Sequence, residues 1–302
     1  MEMEDLTLVW PQRLRWFPLL GAVLTGVMSC IMPIAAVKSV IHDEPAMVWV
    51  ASGMAMAFAS ATVGLSGIAG FRYLKLSKRI AACQDTIGPG IAIPSRKHLV
   101  PILVCLGSVS LGGLVVAAGW FFGADVGPLA AQDRGQAQFL TVFGVVALAF
   151  FAALLGFRSS KEIRLYPSGI QRMVTLRRLW STRTVDTFVS WDDIVEFEVD
   201  ELVVGGTIEV RNPIIWLVSG TEIPVSSRLR FDESNRLRLD AYLLLAEPNV
   251  LLGLLSSLRE SPDRRRVLAD AAARELLAPP PLRSRLWPAS SAPVSAGESE
   301  AS

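Results

Sequence analysis

Four long apolar runs constrain this chain more than any other feature. A bilayer core about 30 Å thick is crossed by roughly 20 apolar residues in a helix, and four segments reach that length. They are "WFPLLGAVLTGVMSCIMPIAAVKSVI" (Trp16 to Ile41), Met47 to Phe71, "LVPILVCLGSVSLGGLVVAAGWFFG" (Leu99 to Gly123) and "QFLTVFGVVALAFFAALLGF" (Gln138 to Phe157). One core of a soluble domain does not need four such runs. With 51% apolar and 19% charged residues and a mean hydropathy of +0.43, the composition agrees with a membrane protein. Trp16, Trp49 and Trp120 stand near run ends, where an amphipathic ring prefers the headgroup layer. The first run is longer than the apolar stretch of a signal peptide and no small-residue cleavage site follows it, so it is expected to be retained.

Orientation follows from the short loops, because Lys and Arg collect on the cytoplasmic side. Arg72, Lys75, Lys78, Arg79, Arg96 and Lys97 lie between runs two and three against a single Asp85, so that loop is expected inside. The loops from His42 and from Ala124 lean acidic and are expected outside. Arg13 and Arg15 before run one, and Arg158, Lys161 and Arg164 after run four, place both termini in the cytoplasm. The predicted organisation is a cytoplasmic tail over residues 1–15, a four-helix membrane domain over 16–158, a cytoplasmic domain over 159–278 and a disordered Pro/Ser/Ala-rich tail over 279–302.

The middles of the four runs carry no Asp, Glu, Lys, Arg or His, which argues against a proton-coupled carrier or an intramembrane hydrolase. Lys38 and His98 border runs and read as interfacial anchors. Gly53, Ala57 and Ala61, and Gly113 with Ala117, form small-residue faces that suit a tight bundle or a homo-oligomer. A second reading makes this half the active part, a small carrier or bundle enzyme regulated by the cytoplasmic domain. It would have to use hydroxyls such as Thr25, Ser29, Ser60, Thr62, Ser108 and Ser110, which in spans mostly bond their own helix.

After Phe157 short alternating segments replace the apolar runs. "EIRLYPSGIQRMV" reads as a hairpin, Glu162 to Tyr166 and Ile170 to Val174, turning at "PSG". "IVEFEVD" alternates, and "GGTIEVR", "IIWLVSG" and "TEIPV" read as short strands split by Gly205-Gly206, Asn212-Pro213 and Ser219-Gly220. "PNVLLGLLSSLRES" sets Val250, Leu251, Leu254, Leu255 and Leu258 on one helical face. A further helix is predicted from "SPDRRRVLADAAAREL", with Ser261 as N-cap.

"FVSWDDIVEFEV" raises the question of an acid/base pair. Neighbouring side chains on a strand point to opposite faces, so Asp192 and Asp193 cannot address one substrate there. They read as a turn into a strand with local Asx-type hydrogen bonds, anchored by Trp191 and Ile194.

The order of a "Y-P-S-G-I" hairpin (Tyr166 to Ile170), an "S-W-D-D-I" strand entry (Ser190 to Ile194), further short strands and a closing amphipathic helix resembles the bacterial PH-like domain family, over roughly residues 159 to 260. The Arg-rich usage and "EPNVLLGLLSSLRESPDRRRVL" resemble actinobacterial membrane proteins carrying such a domain. The resemblance implies an α+β fold: a four-transmembrane-helix bundle followed by a cytoplasmic PH-like small β-barrel with C-terminal helices, in the bacterial plasma membrane. It also implies that Trp191, Asp192, Asp193 and Ile194 are structural, and that the segment after the first strands is where a lipid headgroup would be met.

That segment is "RMVTLRRLWSTRT", Arg172 to Thr184. Arg172, Arg177, Arg178 and Arg183 surround Leu179 and Trp180, and a basic residue near an anionic leaflet gains about 1 kcal/mol. These five residues, Arg172, Arg177, Arg178, Trp180 and Arg183, are the predicted contact for anionic lipid or a protein partner. The expected function is a non-catalytic binding module on a membrane anchor. No P-loop, G-x-G-x-x-G, G-x-S-x-G or H-E-x-x-H occurs and only two histidines exist, so no catalytic residue and no cofactor is assigned. Cys30, Cys83 and Cys105 show neither disulfide nor zinc spacing. The net charge of +1 and the lack of a helix-turn-helix or RNA-binding signature argue against nucleic acid.

Overall fold

The computed structural model describes residues 9–12, 14–42, 45–96, 99–122, 134–179, 181–204 and 210–286. Among the predicted features, Trp180, His98, Gly205-Gly206, most of the loop from Ala124 and the tail after Leu286 lie outside the described residues.

Four long helices dominate the first half of the chain: α1 (Trp16–Ile41), α2 (Pro45–Ala69), α3 (Leu99–Phe122) and α4 (Arg134–Gly156). Consecutive helices pack on one another, α1 with α2, α2 with α3 and α3 with α4. Three of them, over Trp16–Ile41, Met47–Ala69 and Leu99–Gly119, are long and apolar enough to cross a membrane, whereas the apolar part of α4, Thr141–Gly156, is shorter. Their surfaces carry exposed large apolar side chains from end to end, Val23, Ile34, Val63 and Phe143 among them, which suits contact with hydrocarbon. Gly113 of the predicted small-residue face meets Gly144 of α4 closely enough that a Cβ on Gly144 would lie 2.8 Å from the Gly113 Cα. That face serves packing within the chain. Thr62 donates to Thr25 across α1 and α2 at 2.9 Å. Ser60, Ser108 and Ser110 each bond a carbonyl four residues back in their own helix.

The strands are β1 (Ala81–Gln84), β2 (Pro89–Pro94), β3 (Phe157–Tyr166), β4 (Gly169–Arg178), β5 (Ser181–Ser190), β6 (Ile194–Val204), β7 (Val210–Ser219) and β8 (Arg236–Leu239). They form two antiparallel sheets, β1-β2-β3-β4-β5 and β6-β7-β8. The fold is mixed α+β, with the apolar helices at the N-terminal side and antiparallel sheets following. The sheets remain separate and do not close into a hydrogen-bonded barrel among the described residues. The chain turns the corner between them at Trp191–Asp193, a 3-10 turn, and β6 then pairs with β7 rather than with β5. One buried cluster draws on both sheets: Ile93, Leu165 and Ile170 from the first, Ile215, Leu217 and Leu237 from the second. The closing helix α5 (Pro248–Glu260) adds Leu251, Leu255 and Leu258, the face its 3.6-residue period predicts.

Several elements differ from the sequence expectation for physical reasons. The basic segment between α2 and α3 is not only a loop: β1 and β2 extend the first sheet, with Ile93 opposite Ile163 and Ile91 opposite Leu165. The pair α3 and α4 is therefore an excursion between two adjacent strands, β2 and β3. Pro213 lies inside β7 rather than breaking it. It sits opposite Glu201, beyond the Ile215–Val218 stretch that β8 covers, so the missing N–H faces an unpaired edge. Asn212 contributes the side-chain amide there, donating to the Leu202 carbonyl at 3.2 Å. "TEIPV" is not a strand and leads instead into a 3-10 turn at Val225–Ser227. The predicted second helix is broken into α6 (Pro262–Arg265) and 3-10 turns over Arg266–Ala269 and Ala271–Leu277, and Ser261 makes no capping bond. Asp270 interrupts it: its backbone is extended and its carboxylate accepts from Ala272 N at 3.0 Å, starting a new turn. The start of the C-terminal tail is ordered as α7 (Leu282–Leu286), with Arg285 buried. The N-terminal segment also docks, since Trp10 is buried and exchanges two hydrogen bonds with Asn249 at the start of α5.

Candidate functional site

α4 passes into β3 without a linker, Gly156 being followed directly by the first strand residue, Phe157. The two-residue turn Pro167-Ser168 then fixes the register of the β3–β4 hairpin all the way back to the helix, with Phe157 opposite Arg178 and Arg158 opposite Arg177. β5 continues the ladder, placing Thr182 beside Arg177 and Arg183 beside Leu176. The turn between β4 and β5 therefore returns to the end of α4. It is held there by Leu179, whose N–H donates to the Gly156 carbonyl at 2.7 Å from a left-handed backbone (φ 42°). A cation-rich strand end is thus set where an apolar helix stops.

Arg177, Arg178 and Arg183 are exposed at this end, and Phe157 and Leu179 expose 55% and 54% of their surface beside them. Strand alternation puts Arg177 and Arg158 on one face and Arg178 and Arg183 on the other. Like charges directly opposite on a ladder destabilise it by up to about 1 kcal/mol, so the Arg158–Arg177 pair favours a nearby anion. Arg158, read from the sequence as a topology marker, is not among the five predicted contact residues. The signal that could have found it is the hairpin turn itself, because a two-residue turn at Pro167-Ser168 extended outward places residue 158 opposite 177.

Arg172 does not belong to this surface. It is 3% exposed, and its guanidinium grips Asp232 in two parallel bonds of 2.7 and 2.6 Å. It also donates to the Arg238 carbonyl at 3.0 Å and to the Thr187 hydroxyl at 3.4 Å. Alternation explains the difference: Arg172 faces inward with Ile170 and Val174, beneath the loop that carries Asp232. Trp180 lies outside the described residues.

Asp192 and Asp193 form the corner between the sheets. Trp191 is 1% exposed and its indole N–H donates to the Tyr166 carbonyl at 2.8 Å, while Ile194 is buried after it. The local capping group is Ser190, whose hydroxyl accepts from Asp192 N at 3.4 Å, rather than an Asx bond from either carboxylate. The exposed Asp192 carboxylate instead pairs with Arg265 at 3.0 Å. Asp193 contributes its backbone carbonyl, which accepts from Gly220 N at 2.7 Å.

One further polar cluster lies at the β1 edge of the first sheet. The Tyr166 hydroxyl donates to Asp85 and lies 3.0 Å from the Gln171 side-chain oxygen, and Arg164 donates to both Asp85 and Glu162. The Tyr166 hydroxyl holds the Asp85 carboxyl below its usual range, while burial pushes the Tyr166 phenol up. Burial likewise pushes up the neighbouring Cys83 thiol. A phenol and a thiol kept protonated are poor nucleophiles at neutral pH. Among the described residues no group of His, Cys, Asp or Glu has the arrangement to hold a metal ion. No family model, no curated protein and no solved structure matches the chain.

Proposed function

We propose that this chain is a non-catalytic, four-pass protein of the bacterial plasma membrane, with both termini cytoplasmic, that holds a PH-like module against an anionic leaflet. Within this reading α4 is the fourth span, and the two sheets with α5 stand for the strands and closing helix of the PH-like unit. The observation that supports it is the Leu179–Gly156 hydrogen bond, which keeps the β4–β5 turn at the end of α4. Arg158, Arg177, Arg178 and Arg183 then sit at headgroup height, with Phe157 and Leu179 beside them to enter the interface. Each cation within a Debye length of an anionic surface adds about 1 kcal/mol, and salt weakens it.

The test is hydrogen exchange of the full chain in nanodiscs, of phosphatidylcholine alone or mixed with phosphatidylglycerol. Amides of Leu176 to Arg183 are expected to exchange more slowly in the anionic discs, with the difference shrinking as salt rises. In Arg177→Ala/Arg178→Ala it should vanish. Equal exchange in both discs would remove the lipid-reading role and leave a protein partner as the occupant of that surface.

A further inference from the structure

A second place in the molecule collects cations, and no part of the β4–β5 turn contributes to it. Where α1 begins and α2 ends, a cleft of about 570 Å³ opens between the helix ends and the β6–β7 hairpin. Its lining includes Arg15 and Arg72 from the helix flanks, Gly67 from the last turn of α2, Glu201 and Arg211 from the hairpin, and Tyr242. A backbone bond from Arg15 N to the Ala69 carbonyl, 3.1 Å, ties the two helix ends together at its floor.

The charges in the cleft do not cancel. Glu201 faces Arg211 at 3.4 Å. The lining carboxylate of Glu247 is buried and already accepts from Val250 N at 2.7 Å, from the Asn249 amide at 2.9 Å and from Gln12 at 3.4 Å. Arg15 and Arg72 make no ion pair among the described residues. The depth of the site is marked independently. Trp16 and Phe17, the first residues of α1, expose 73% and 77% of their surface beside it, as rings in the headgroup layer do.

We infer that this cleft binds the phosphate of an anionic phospholipid drawn from the adjacent leaflet. Arg15 and Arg72 supply the charge, Gly67 leaves room for the Arg72 side chain against the last turn of α2, and the Tyr242 hydroxyl supplies a hydrogen bond. A lipid held there bridges the α1–α2 pair and the β6–β7 hairpin. The site does not depend on the role proposed for the β4–β5 turn, and the two are tested by different variants.

The experiment is native mass spectrometry of the full chain released from nanodiscs of phosphatidylcholine mixed with phosphatidylglycerol, scoring the lipid that stays bound. Wild type is expected to retain phosphatidylglycerol selectively. At about fivefold per cation, Arg15→Gln/Arg72→Gln should lose that selectivity roughly thirtyfold, and Arg15→Lys/Arg72→Lys should restore most of it in a chain that elutes as wild type does. Arg177→Ala/Arg178→Ala should leave it unchanged. If the hairpin variant abolishes retention and the cleft variant does not, the inference is overturned while the proposed function survives. Soluble glycerol phosphate provides the other arm. If it slows exchange at Gly67 to Tyr73 in purely neutral discs and phosphatidylglycerol does not, the anion comes from solution and the lipid assignment is wrong.

Discussion

Replacing Arg172 by methionine removes the guanidinium from a site where both partners are shielded, the side chains of Arg172 and Asp232 exposing 4% and 0% of their surface. Methionine restores much of the aliphatic volume, so the effect reports the charge and its hydrogen bonds. Asp232 keeps two backbone donors, Leu229 N at 2.5 Å and Arg238 N at 3.1 Å, but its charge is left buried without a counterion. Breaking such a pair costs about 3–5 kcal/mol, and the two remaining donors place the expected loss near the lower end, at about 3 kcal/mol. Pulse proteolysis of the full chain in detergent across a urea series measures it. The Asp232→Asn change supplies the control: alone it destabilises, because Arg172 loses its counterion, whereas in the Arg172→Met background it removes the uncompensated charge and should recover about 1–2 kcal/mol. The lipid-dependent exchange of Leu176 to Arg183 should persist in Arg172→Met. A midpoint shift below about 0.5 kcal/mol together with loss of the lipid response would refute the reasoning and return Arg172 to the binding surface.

Two further perturbations test other parts of the fold. Burial, the largest cause, pushes the Glu247 carboxyl above its ordinary 4.5, against the bonds from Val250 N and Asn249 and the nearby Arg285 charge. A raised folded value means that the native state holds its proton longer than the unfolded chain, so this group's contribution to stability is largest near the ordinary carboxyl range and declines as pH rises through the folded value. The melting temperature of wild type relative to that of Glu247→Gln should therefore fall as pH is raised from about 4.5 toward neutrality, and a wild type that gains on the variant over that range would contradict the burial. Gly169→Ala places a Cβ against the Val189 carbonyl and within 2.6 Å of the Phe188 ring, so a loss of about 2–3 kcal/mol is expected. Gly64→Ala, with nothing within 4 Å, should not destabilise. Equal effects in the proteolysis assay would show that the hairpin turn tolerates a side chain.

What the sequence disclosed depended on how much chain each feature recruits. The apolar runs, the β3–β4 hairpin and the amphipathic face of α5 each repeat their signal over many residues, and each is present. Trp191 and Ile194 anchor the corner as expected, because a large apolar pair beside two aspartates has few other uses. β1 and β2 were illegible: their inward residues are little more than Ile91 and Ile93, framed by Pro89 and Pro94 and surrounded by the basic residues of an apparent loop. Two residues cannot establish a period of two. Arg172 misled for the opposite reason, since its neighbours Arg177 and Arg178 suggested one basic patch while strand alternation and the unseen Asp232 loop turned it inward. Trp10 and Arg285 lie in segments whose composition is that of tails, and only distant partners order them.

Those two tails change what kind of module this is. Arg285, 1% exposed, donates to the Gln12 side chain at 3.2 Å and to the carbonyls of Arg72 and Tyr73 at 3.1 and 2.9 Å. It thereby joins the C-terminal α7, the N-terminal segment and the chain leaving α2. Carbonyls just past a helix end lack intrahelical partners, and a guanidinium that stays charged across the physiological range supplies several donors at once. Trp10 and Asn249 fasten the same N-terminal segment to α5, while β2 and β3 hold both ends of the α3–α4 excursion inside one sheet. A fragment begun at Ser159 would lose β1, β2 and Trp10 together, leaving the β3 edge unpaired and the core short of Ile80, Ile91 and Ile93. The sheets are therefore not a domain swinging on a linker. Both helix pairs enter the same folded unit, α1 and α2 through the docked N-terminal segment and Arg285, α3 and α4 through the paired strands β2 and β3.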